Sequence, residues 1–419
     1  MTTRFTGNFT QQLPIPEQGI ARAIDVMRSG RLHRYNVVDG ETPETVLLER
    51  EFASYVGMEY CLACASGGYA MQLALRAVEL RANEPVLTNG FTLSPVPGAI
   101  AAAGGCAVLV EITDELVIDL DDLKRKCESS QSRLLLLSHM RGHIADMDKL
   151  LRVTDAAGIQ VIEDCAHTMG ARWGEANSGT HGAVACFSAQ TYKHINSGEG
   201  GFVASNDAQL MARATLLSGS YMLYGRHSNV PDTDVFEAVR LETPNCSGRM
   251  DNLRAAILRP QLEMLDASVL AWNVRYRVLE ASLSRSTALR LRSRPDKEHF
   301  VGSSIQFIAG DLPAQDVSLF LERCRERGVE IKWFGDPQPV AYTSRYDSWQ
   351  YLEQQSLPQT DAILSRLFDM RIPLTFSVSD CELIGDIIVE CLHDVLGLNT
   401  KETTPAIANK RLTDTKEKA

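Results

Sequence analysis

Short apolar runs alternate with stretches of helical periodicity between residues 60 and 206. The periodic stretches, such as 70–80 and 147–157, carry apolar residues every three or four positions, which predicts helices with one buried face. Runs that are apolar throughout predict strands covered on both faces. They occupy residues 60–65, 85–88, 107–112, 134–138, 160–163, 183–187 and 202–205. The alternation predicts an α/β fold built from βαβ units, with a mostly parallel sheet of seven strands.

The chain on either side of this block predicts further units. Helical patterns cover residues 16–27 and 44–55, and one long helix runs from about 251 to 283, with Asp251 as its cap. A strand at 304–308 and helices at 314–326 and 380–396 predict a smaller C-terminal α+β domain. We therefore expect an N-terminal arm (1–15), a large domain (16–265), a small domain (266–398) and a disordered tail (399–419).

Composition and charge narrow the class of protein. A chain of 419 residues with 44% hydrophobic and 23% charged residues suits a globular protein of two domains. The net charge of −11 argues against binding to nucleic acid or to an anionic membrane surface. We find neither an apolar run of about 18 residues nor an apolar signal core near the N-terminus. A cytoplasmic location is expected.

Two spacings invite a metal site, and neither supports one. Cys61 and Cys64 lie three apart in a predicted strand, where they point to opposite faces, and no second cysteine pair completes the ligand set. His139 and His143 lie four apart, but Gly142 between them interrupts a helix. We expect no metal, and we interpret the ten cysteines as thiols of a reducing compartment.

Lys193 is the first candidate for chemistry, because it follows a short apolar strand and precedes a glycine-rich loop. Lysine is the side chain that forms Schiff bases with carbonyl cofactors and substrates. Asp164 ends another predicted strand, at the sheet edge where open α/β sheets place ligands. Beside a pyridinium ring, such a carboxylate keeps the ring nitrogen protonated. His167 follows three residues later; it could reach the phenolic oxygen of that ring or be a packed or capping residue.

A phosphate subsite is predicted between a strand and a helix. Gly67 and Gly68 follow Ser66 there, and glycines let backbone N–H groups approach a phosphate at a helix N-terminus. Such a turn is equally often only a tight turn. Ser188, five residues before Lys193, could bond the same phosphate while the lysine reaches an aldehyde.

Together these residues resemble an enzyme of the aspartate-aminotransferase fold, fold type I, which depends on pyridoxal 5'-phosphate. More narrowly, the chain is similar to the DegT/StrS family of sugar aminotransferases over roughly residues 14 to 396. The most specific stretches are residues 161–171, Ser188 with Lys193 and the 198–201 loop, and Arg249 with Met250. Arg249 alone would have been interpreted equally well as an ordinary surface residue.

The resemblance implies a Schiff base between the cofactor and Lys193, with Asp164 on the pyridine nitrogen and Ser188 on the phosphate. It also implies a transferase that moves an amino group from glutamate or glutamine to a keto-sugar, in secondary metabolism or glycan biosynthesis. Lys193, Asp164 and His167 are then the catalytic residues. The partners are a small-molecule amino donor, a ketone acceptor and a second copy of the chain, since the family shares its active sites across a homodimer.

Several positions around the cofactor depart from the family pattern. Gly68 and Tyr69 replace Thr-Ala in the phosphate turn, and Leu93 aligns with the aromatic residue that stacks on the ring. Aliphatic packing would replace stacking unless Phe91, also a substrate candidate, or Tyr69 swings in. We retain Gly67, Gly68, Tyr69 and Leu93 as cofactor-binding candidates.

Two further departures affect the polar residues. His167 takes the place of the family's Gln, and Ser247, a cofactor-binding candidate, takes the place of an Asn two residues before Arg249. Arg249 is a candidate for the substrate. The changed phosphate turn, together with residues 335–339 in place of the family's Pro-Leu-His segment, favours a divergent member that acts on a cyclitol, an unusual keto-sugar or a non-sugar ketone.

Three alternatives stay open at this point. The scaffold could carry another reaction of the same cofactor, such as elimination, dehydration or acyl transfer. It could also be a regulatory or accessory protein that binds the cofactor with little turnover, although such a protein would not need both Lys193 and Asp164. A plain nucleotide-binding α/β domain would need a fuller glycine fingerprint after its first strand, which we do not find.

Overall fold

A computed structural model describes residues 3–398. Its strands are β1 (Tyr60–Cys64), β2 (Pro85–Asn89), β3 (Cys106–Val110), β4 (Leu134–Ser138), β5 (Gln160–Asp164), β6 (Arg172–Trp173), β7 (Ala176–Asn177), β8 (Val184–Ser188), β9 (Gly201–Ser205), β10 (Arg290–Leu291), β11 (Glu298–His299), β12 (Ser304–Ile308), β13 (Lys332–Trp333) and β14 (Leu367–Arg371). The seven strands predicted between residues 60 and 206 are confirmed, each within two residues of its expected ends.

The helices begin and end at residues with clear conformational preferences, such as glycine in the left-handed region after α1, α2 and α6. They are α1 (Glu17–Ser29), α2 (Glu44–Val56), α3 (Gly67–Ala77), α4 (Pro95–Ala102), α5 (Leu120–Ser130), α6 (Met147–Ala157), α7 (Ala208–Ser218), α8 (Thr233–Val239), α9 (Asn252–Glu263), α10 (Leu265–Leu283), α11 (Val317–Glu326), α12 (Pro358–Leu364) and α13 (Val378–Leu396).

The central sheet has the strand order β1-β9-β8-β5-β4-β2-β3. Strand β9 runs antiparallel to both of its neighbours, and the other pairings in this sheet are parallel. Strands β4 and β8 are buried along their whole length, which explains their uninterrupted apolar sequences. The carboxyl ends of β4, β5 and β8 meet at one edge, where Ser138 pairs in register with Asp164.

A second, antiparallel sheet has the order β10-β12-β14-β13 and packs against α10, α11 and α13. The predicted strand at 304–308 is confirmed as β12, and the helix expected at 380–396 is α13. The helix expected at 314–326 begins with a single 3₁₀ turn, Ala314–Asp316, before α11. Three short strands form a third sheet, β11-β6-β7.

The single long helix predicted from 251 to 283 is wrong. The chain forms α9 and α10 instead, separated by one turn residue, Met264, whose φ of −94° and ψ of −1° stay in the right-handed region. The predicted cap is present, because the Asp251 carboxylate accepts the backbone N–H of Arg254 at 2.9 Å. Pro260 lies inside α9, where it removes one backbone donor.

One segment that follows β13 returns to the large sheet. Tyr346, Trp349 and Leu357 are buried in the apolar cluster formed by α3, α4 and the central strands. The side chain of Gln355 spans two backbone groups of β3, accepting from Leu109 N–H and donating to the Ala107 carbonyl at 2.8 and 2.9 Å. The segment therefore ties the two sheets together on one side of the molecule.

Two expectations from the sequence concern the C-terminal tail and helices that could cross a membrane. The predicted disordered tail, 399–419, lies outside the described residues. Within residues 3–398, the helices are all too short or too polar to cross a bilayer.

Candidate active site

A cavity of about 760 Å³ opens at the carboxyl edge of the central sheet, between that sheet and the antiparallel one. Seven residues singled out from the sequence line it: Gly67, Gly68, Leu93, Asp164, His167, Ser188 and Lys193. They come from the starts of α3 and α4 and from the ends of β5 and β8, so the sheet topology is what brings them together.

Lys193 presents its amine to this cavity beside an imidazole. Its Nζ atom lies 2.7 Å from Nε2 of His167. Desolvation lowers the pKa of Lys193 to about 7, with the charges of Arg141 and Arg371 acting in the same direction and Asp164 acting against them. A large share of the amine is therefore in the free-base form at neutral pH.

The hydrogen bonds of His167 determine which ring nitrogen carries the proton. The backbone N–H of Arg141 donates to Nδ1 at 3.1 Å, so Nδ1 is an acceptor. Burial, followed by the charge of Lys193, lowers the pKa of His167 well below its ordinary value, and the ring is neutral. The proton then lies on Nε2, and His167 donates it to an uncharged Lys193 amine. The sequence placed His167 near a phenolic oxygen of the cofactor; the geometry joins it to the lysine.

Arg141 reaches His167 through an unusual backbone conformation. Its φ and ψ are 56° and 24°, in the left-handed region, and Gly142 follows with φ 79°. Any side chain at Gly142 would be crowded, because a Cβ atom there would lie 3.1 Å from the carbonyl oxygen of His167. The turn at Arg141 and Gly142 thus directs the backbone N–H of Arg141 towards His167.

Asp164 is held by donors on both carboxylate oxygens. Ser138 donates its hydroxyl to Oδ2 at 2.8 Å, and the backbone N–H of Ala166 donates to Oδ1 at 3.1 Å. Thr92 donates to the Ser138 hydroxyl in turn, also at 2.8 Å. This chain of hydrogen bonds fixes the direction of the carboxylate and leaves lone pairs for a ligand in the cavity.

The start of α3 forms a close cradle with the end of β8. Ser66 caps the helix by accepting the backbone N–H of Tyr69 at 3.1 Å. A Cβ atom at Gly67 would lie only 2.6 Å from Cβ of Ser188, so glycine is required for this approach. Free N–H groups at a helix start, next to a serine hydroxyl, suit a phosphate.

The opposite wall carries a buried ionic network. Arg141 donates to Asp369 Oδ2 at 2.7 Å, and Tyr342 donates its hydroxyl to the same oxygen at the same distance. Gln306 donates to Asp369 Oδ1 at 2.7 Å. Asp369 is fully buried, and its charge is compensated within the network. Arg371 is the neighbouring cation of this wall.

Two candidates from the sequence point away from the cavity. The ring of Tyr69 packs on Gly248, where a Cβ atom would fall 1.9 Å from a ring carbon, and its hydroxyl donates to the Leu217 carbonyl. Phe91 is buried, edge-on to Phe334 at 5.0 Å. Neither ring lies against the cavity, so the exception considered for Phe91 and Tyr69 is not met in this structure. Leu93 lines the cavity, as expected.

Ser247 and Arg249 also lie outside the cavity of their own chain. Ser247 is exposed and adopts a left-handed conformation with φ 50°. Arg249 donates to the Gly219 carbonyl at 2.8 Å and stacks on the ring of Tyr221 at 5.0 Å. Within this one chain, neither residue contacts the Lys193 site.

Ser138, Arg141 and Tyr342 are wall residues that sequence reasoning missed. Ser138 had a usable signal, because it ends the strand next to that of Asp164 and the carboxyl ends of parallel strands meet at one edge. Arg141 stood in the segment considered only for metal binding. Tyr342 comes from a region without periodicity, and no local pattern indicates where its ring lies.

One group of buried side chains has donors close enough for a metal. His139, Glu163 and Cys165 place their ligand atoms within 4.8 Å of one another. The Glu163 carboxylate already accepts hydrogen bonds from His139 Nε2 and from the backbone N–H groups of residues 179, 181 and 182, at 2.6 to 3.0 Å. Its lone pairs are thus committed to holding the loop before β8.

The residues of the cavity fit pyridoxal 5'-phosphate. The glycine cradle at Gly67 beside Ser188 suits the phosphate, and Asp164 supplies an oriented carboxylate for the pyridine nitrogen. Lys193 supplies an amine with a lowered pKa in the same cavity. These groups combine a phosphate site, a carboxylate and a nucleophilic amine in the arrangement that this cofactor requires.

The architecture and this arrangement define the class of fold-type I enzymes, confirming the fold expected from the sequence. The crystal structure of 3-amino-5-hydroxybenzoic acid synthase superimposes with a TM-score of 0.78, at 21% identity, over 94% of this chain and all of that one. The chain belongs to the DegT/DnrJ/EryC1/StrS aminotransferase family, whose model matches residues 16–388. The family resemblance noted in the sequence is confirmed.

Two curated relatives match over part of their length. GDP-perosamine synthase of Caulobacter vibrioides is 32% identical over 54% of this chain and 58% of its own. L-glutamine:2-deoxy-scyllo-inosose aminotransferase of Streptomyces fradiae is 29% identical over 60% of each chain. The matched region therefore spans less than two thirds of these relatives.

Proposed function

We propose that this protein is an aminotransferase that uses pyridoxal 5'-phosphate to move an amino group from glutamate or glutamine to a keto-sugar, a cyclitol or a related ketone. The observation that carries the proposal is the meeting of Lys193 and Asp164 in one cavity, with the lysine pKa at about 7. Membership in an aminotransferase family supports the same reaction. The name of the Streptomyces fradiae relative, which includes glutamine and an inosose, supports this donor and a cyclitol acceptor.

When bound, the cofactor supplies a carbonyl that condenses with amines and a ring that accepts electrons from the carbon that loses a proton. The protein supplies the rest. Asp164, oriented by Ser138 and the N–H of Ala166, holds a proton at the pyridine nitrogen. The N–H groups at the start of α3 and the Ser188 hydroxyl hold the phosphate.

Lys193 and His167 manage protons at the reacting end of the cavity. Lys193 is the proposed general base and acid, since a pKa near neutrality lets it take up and return a proton. His167 donates to its Nζ atom and keeps the amine at one place in the cavity wall. In this proposal His167 acts on the lysine rather than on the phenolic oxygen of the cofactor.

The visible absorbance of the cofactor-loaded protein tests this function. We expect glutamate, without an acceptor, to convert the spectrum and to release 2-oxoglutarate in an amount equal to the sites present. Lys193→Ala should lose the conversion, and borohydride reduction should place the label on the Lys193 peptide in the wild type. Release of ammonia, or a label on another lysine, would contradict the proposal and favour elimination or a different site.

A homodimer with shared active sites is part of this proposal. Ser247 is exposed and Arg249 lies outside its own cavity, which supports a role for both in the site of a second copy. Mixing Lys193→Ala protein with Arg249→Ala protein tests it, because a mixed dimer would contain one site with neither change. Recovery of up to about a quarter of the wild-type activity supports sharing; no recovery after exchange of subunits opposes it. The cytoplasmic location remains a prediction.

A further inference from the structure

Arg371 is a cation of the cavity wall with no carboxylate partner among residues 3–398. It ends strand β14, and its guanidinium lies 3.7 Å from the ring centre of Tyr192 and 4.6 Å from that of Tyr342. Cation–π contacts of this kind fix the position of a guanidinium without neutralising it. The two rings thus hold a positive charge at the surface of the cavity, with its N–H donors available to a ligand.

The buried acid of this wall, Asp369, does not compensate Arg371. Asp369, two residues earlier in β14, is fully buried and paired with Arg141 at 2.7 Å. Tyr342 and Gln306 donate further hydrogen bonds to the same carboxylate. Because Arg141 already balances Asp369, the charge of Arg371 is additional to the network.

The remaining charges lie elsewhere around the cavity. Glu199 and Glu330 line it but are exposed, so water screens them, and Lys332 adds a further cation beside them. Asp164 faces the predicted pyridine site, where it has its own partner. A ligand that reaches Arg371 therefore meets an excess of positive charge on that wall.

Arg371 is close to the reacting amine. It lines the cavity together with Lys193 and His167, and its ring partner Tyr192 directly precedes Lys193 in the chain. Its charge also contributes to the lowered pKa of both residues, after desolvation and the nearer charges. A group bound by Arg371 would thus belong to a molecule whose reacting atoms lie at Lys193.

We propose that Arg371 is the residue that binds a carboxylate group of a substrate in this cavity. A guanidinium forms two parallel hydrogen bonds with a carboxylate, and the two tyrosine rings hold its plane ready for that contact. The inference rests on the proposed function, and it adds that a substrate enters as a carboxylate. In an amino transfer the carboxylate comes from the amino donor or from the ketone, and the experiment separates these two sources.

Calorimetric titration with glutarate, a dicarboxylate that lacks an amine, tests binding without any reaction. We expect cofactor-loaded wild type to bind glutarate, Arg371→Gln to bind it about tenfold or more weakly, and Arg371→Lys to fall between them. Arg125→Gln, which removes an arginine with 68% of its side chain exposed on α5, is the matched control and should bind as the wild type does. Thermal melting and bound-cofactor absorbance check that each variant is folded.

The source of the carboxylate follows from a comparison of donors. Glutamate and its α-amide, isoglutamine, differ only at the α-carboxylate, and each is followed by the visible spectrum of the loaded protein. If Arg371 binds the donor, the wild type prefers glutamate and Arg371→Gln loses that preference. Glutamine, which lacks the γ-carboxylate, completes the comparison. If the preferences for glutamate over isoglutamine and over glutamine are both unchanged while glutarate binding falls, the carboxylate is that of the ketone.

The proposal fails if glutarate binds wild type and Arg371→Gln equally, or does not bind the wild type. Failure of the proposed function has a different signature, in which no amino donor changes the spectrum of the wild type. The titration with glutarate then still decides whether Arg371 recognises a carboxylate.

Discussion

The Nζ atom of Lys193 and the Nε2 atom of His167 lie 2.7 Å apart, and the imidazole is the donor of the pair. The donor role follows from the other side of the ring, where Nδ1 accepts the backbone N–H of Arg141. A hydrogen bond donated to a free amine stabilises its neutral form, in the same direction as desolvation. The cavity therefore favours the nucleophilic form of the lysine near neutral pH.

The first prediction concerns the pH at which Lys193 reacts. Its pKa of about 7 means that, in cofactor-free protein, modification by an amine-specific reagent should be half-maximal near pH 7 and complete well above it. An ordinary lysine reacts with a midpoint of about 10.4. Peptide mapping after modification across pH 5–11 measures the midpoint, and other lysines in the same digest are the internal standard. A midpoint for Lys193 equal to theirs would contradict the desolvation argument.

Replacing His167 should move that midpoint upward. In His167→Phe the amine loses the donor that favours its neutral form, while the bulk of the ring still limits access of water. We expect the Lys193 midpoint to rise by about half a pH unit or more, since hydrogen bonds of this kind contribute roughly 1 kcal/mol. His181→Phe, outside the cavity, should leave it unchanged. A downward shift would mean that His167 instead accepts a hydrogen bond from the protonated lysine.

Gly67→Ala should close the phosphate cradle. A Cβ atom there would lie 2.6 Å from Cβ of Ser188, whereas a Cβ atom at Gly68 would lie 3.7 Å from Cβ of Pro95, an ordinary contact. We therefore expect Gly67→Ala to weaken cofactor binding by about tenfold or more, as overpacking of a rigid site does. Gly68→Ala is the matched control and should bind within about threefold of wild type. Fluorescence titration with pyridoxal 5'-phosphate measures the cofactor affinity of both variants. Equal affinities would contradict the assignment of Gly67 to the phosphate site.

Asp369→Asn should destabilise the protein although Asp369 makes no hydrogen bond with Lys193. The change leaves the Arg141 guanidinium buried without its counter-charge, which costs about 3–5 kcal/mol of unfolding free energy. Arg125→Gln breaks an ion pair at the surface and should cost less than about 1 kcal/mol. Urea unfolding followed by circular dichroism compares the two. Similar midpoints would show that the Arg141–Asp369 pair is dispensable for the fold.

The large sheet was predictable because its strands are buried on both faces, so each is visible as an apolar run such as Leu134–Ser138. The same reasoning failed for the helix after Asp251, since apolar periodicity continues through Met264 where the backbone turns. Periodicity reports which face of a segment is buried. It does not report a one-residue break that preserves that face.

The residues of the site divide in the same way. Asp164 and Ser188 end strands, and Lys193 follows one, so the position of each was visible in the local sequence. The direction of a side chain is set by tertiary packing, which is why Tyr69 turns to Gly248. Arg371 ends a strand, but its lack of a partner depends on the pairing of Asp369 with Arg141, a contact across more than two hundred residues.

The chain that leaves β13 returns to the large sheet before it enters β14, and this has a mechanical consequence. Gln355 is bonded to the edge strand β3, and Thr360 donates its backbone N–H to Glu111 at 2.7 Å. A hinge motion between the two sheets would have to break these bonds, so they oppose opening of the cavity on this side. Substrate size would then be limited by the spacing of the two sheets rather than by a movement of one sheet towards the other.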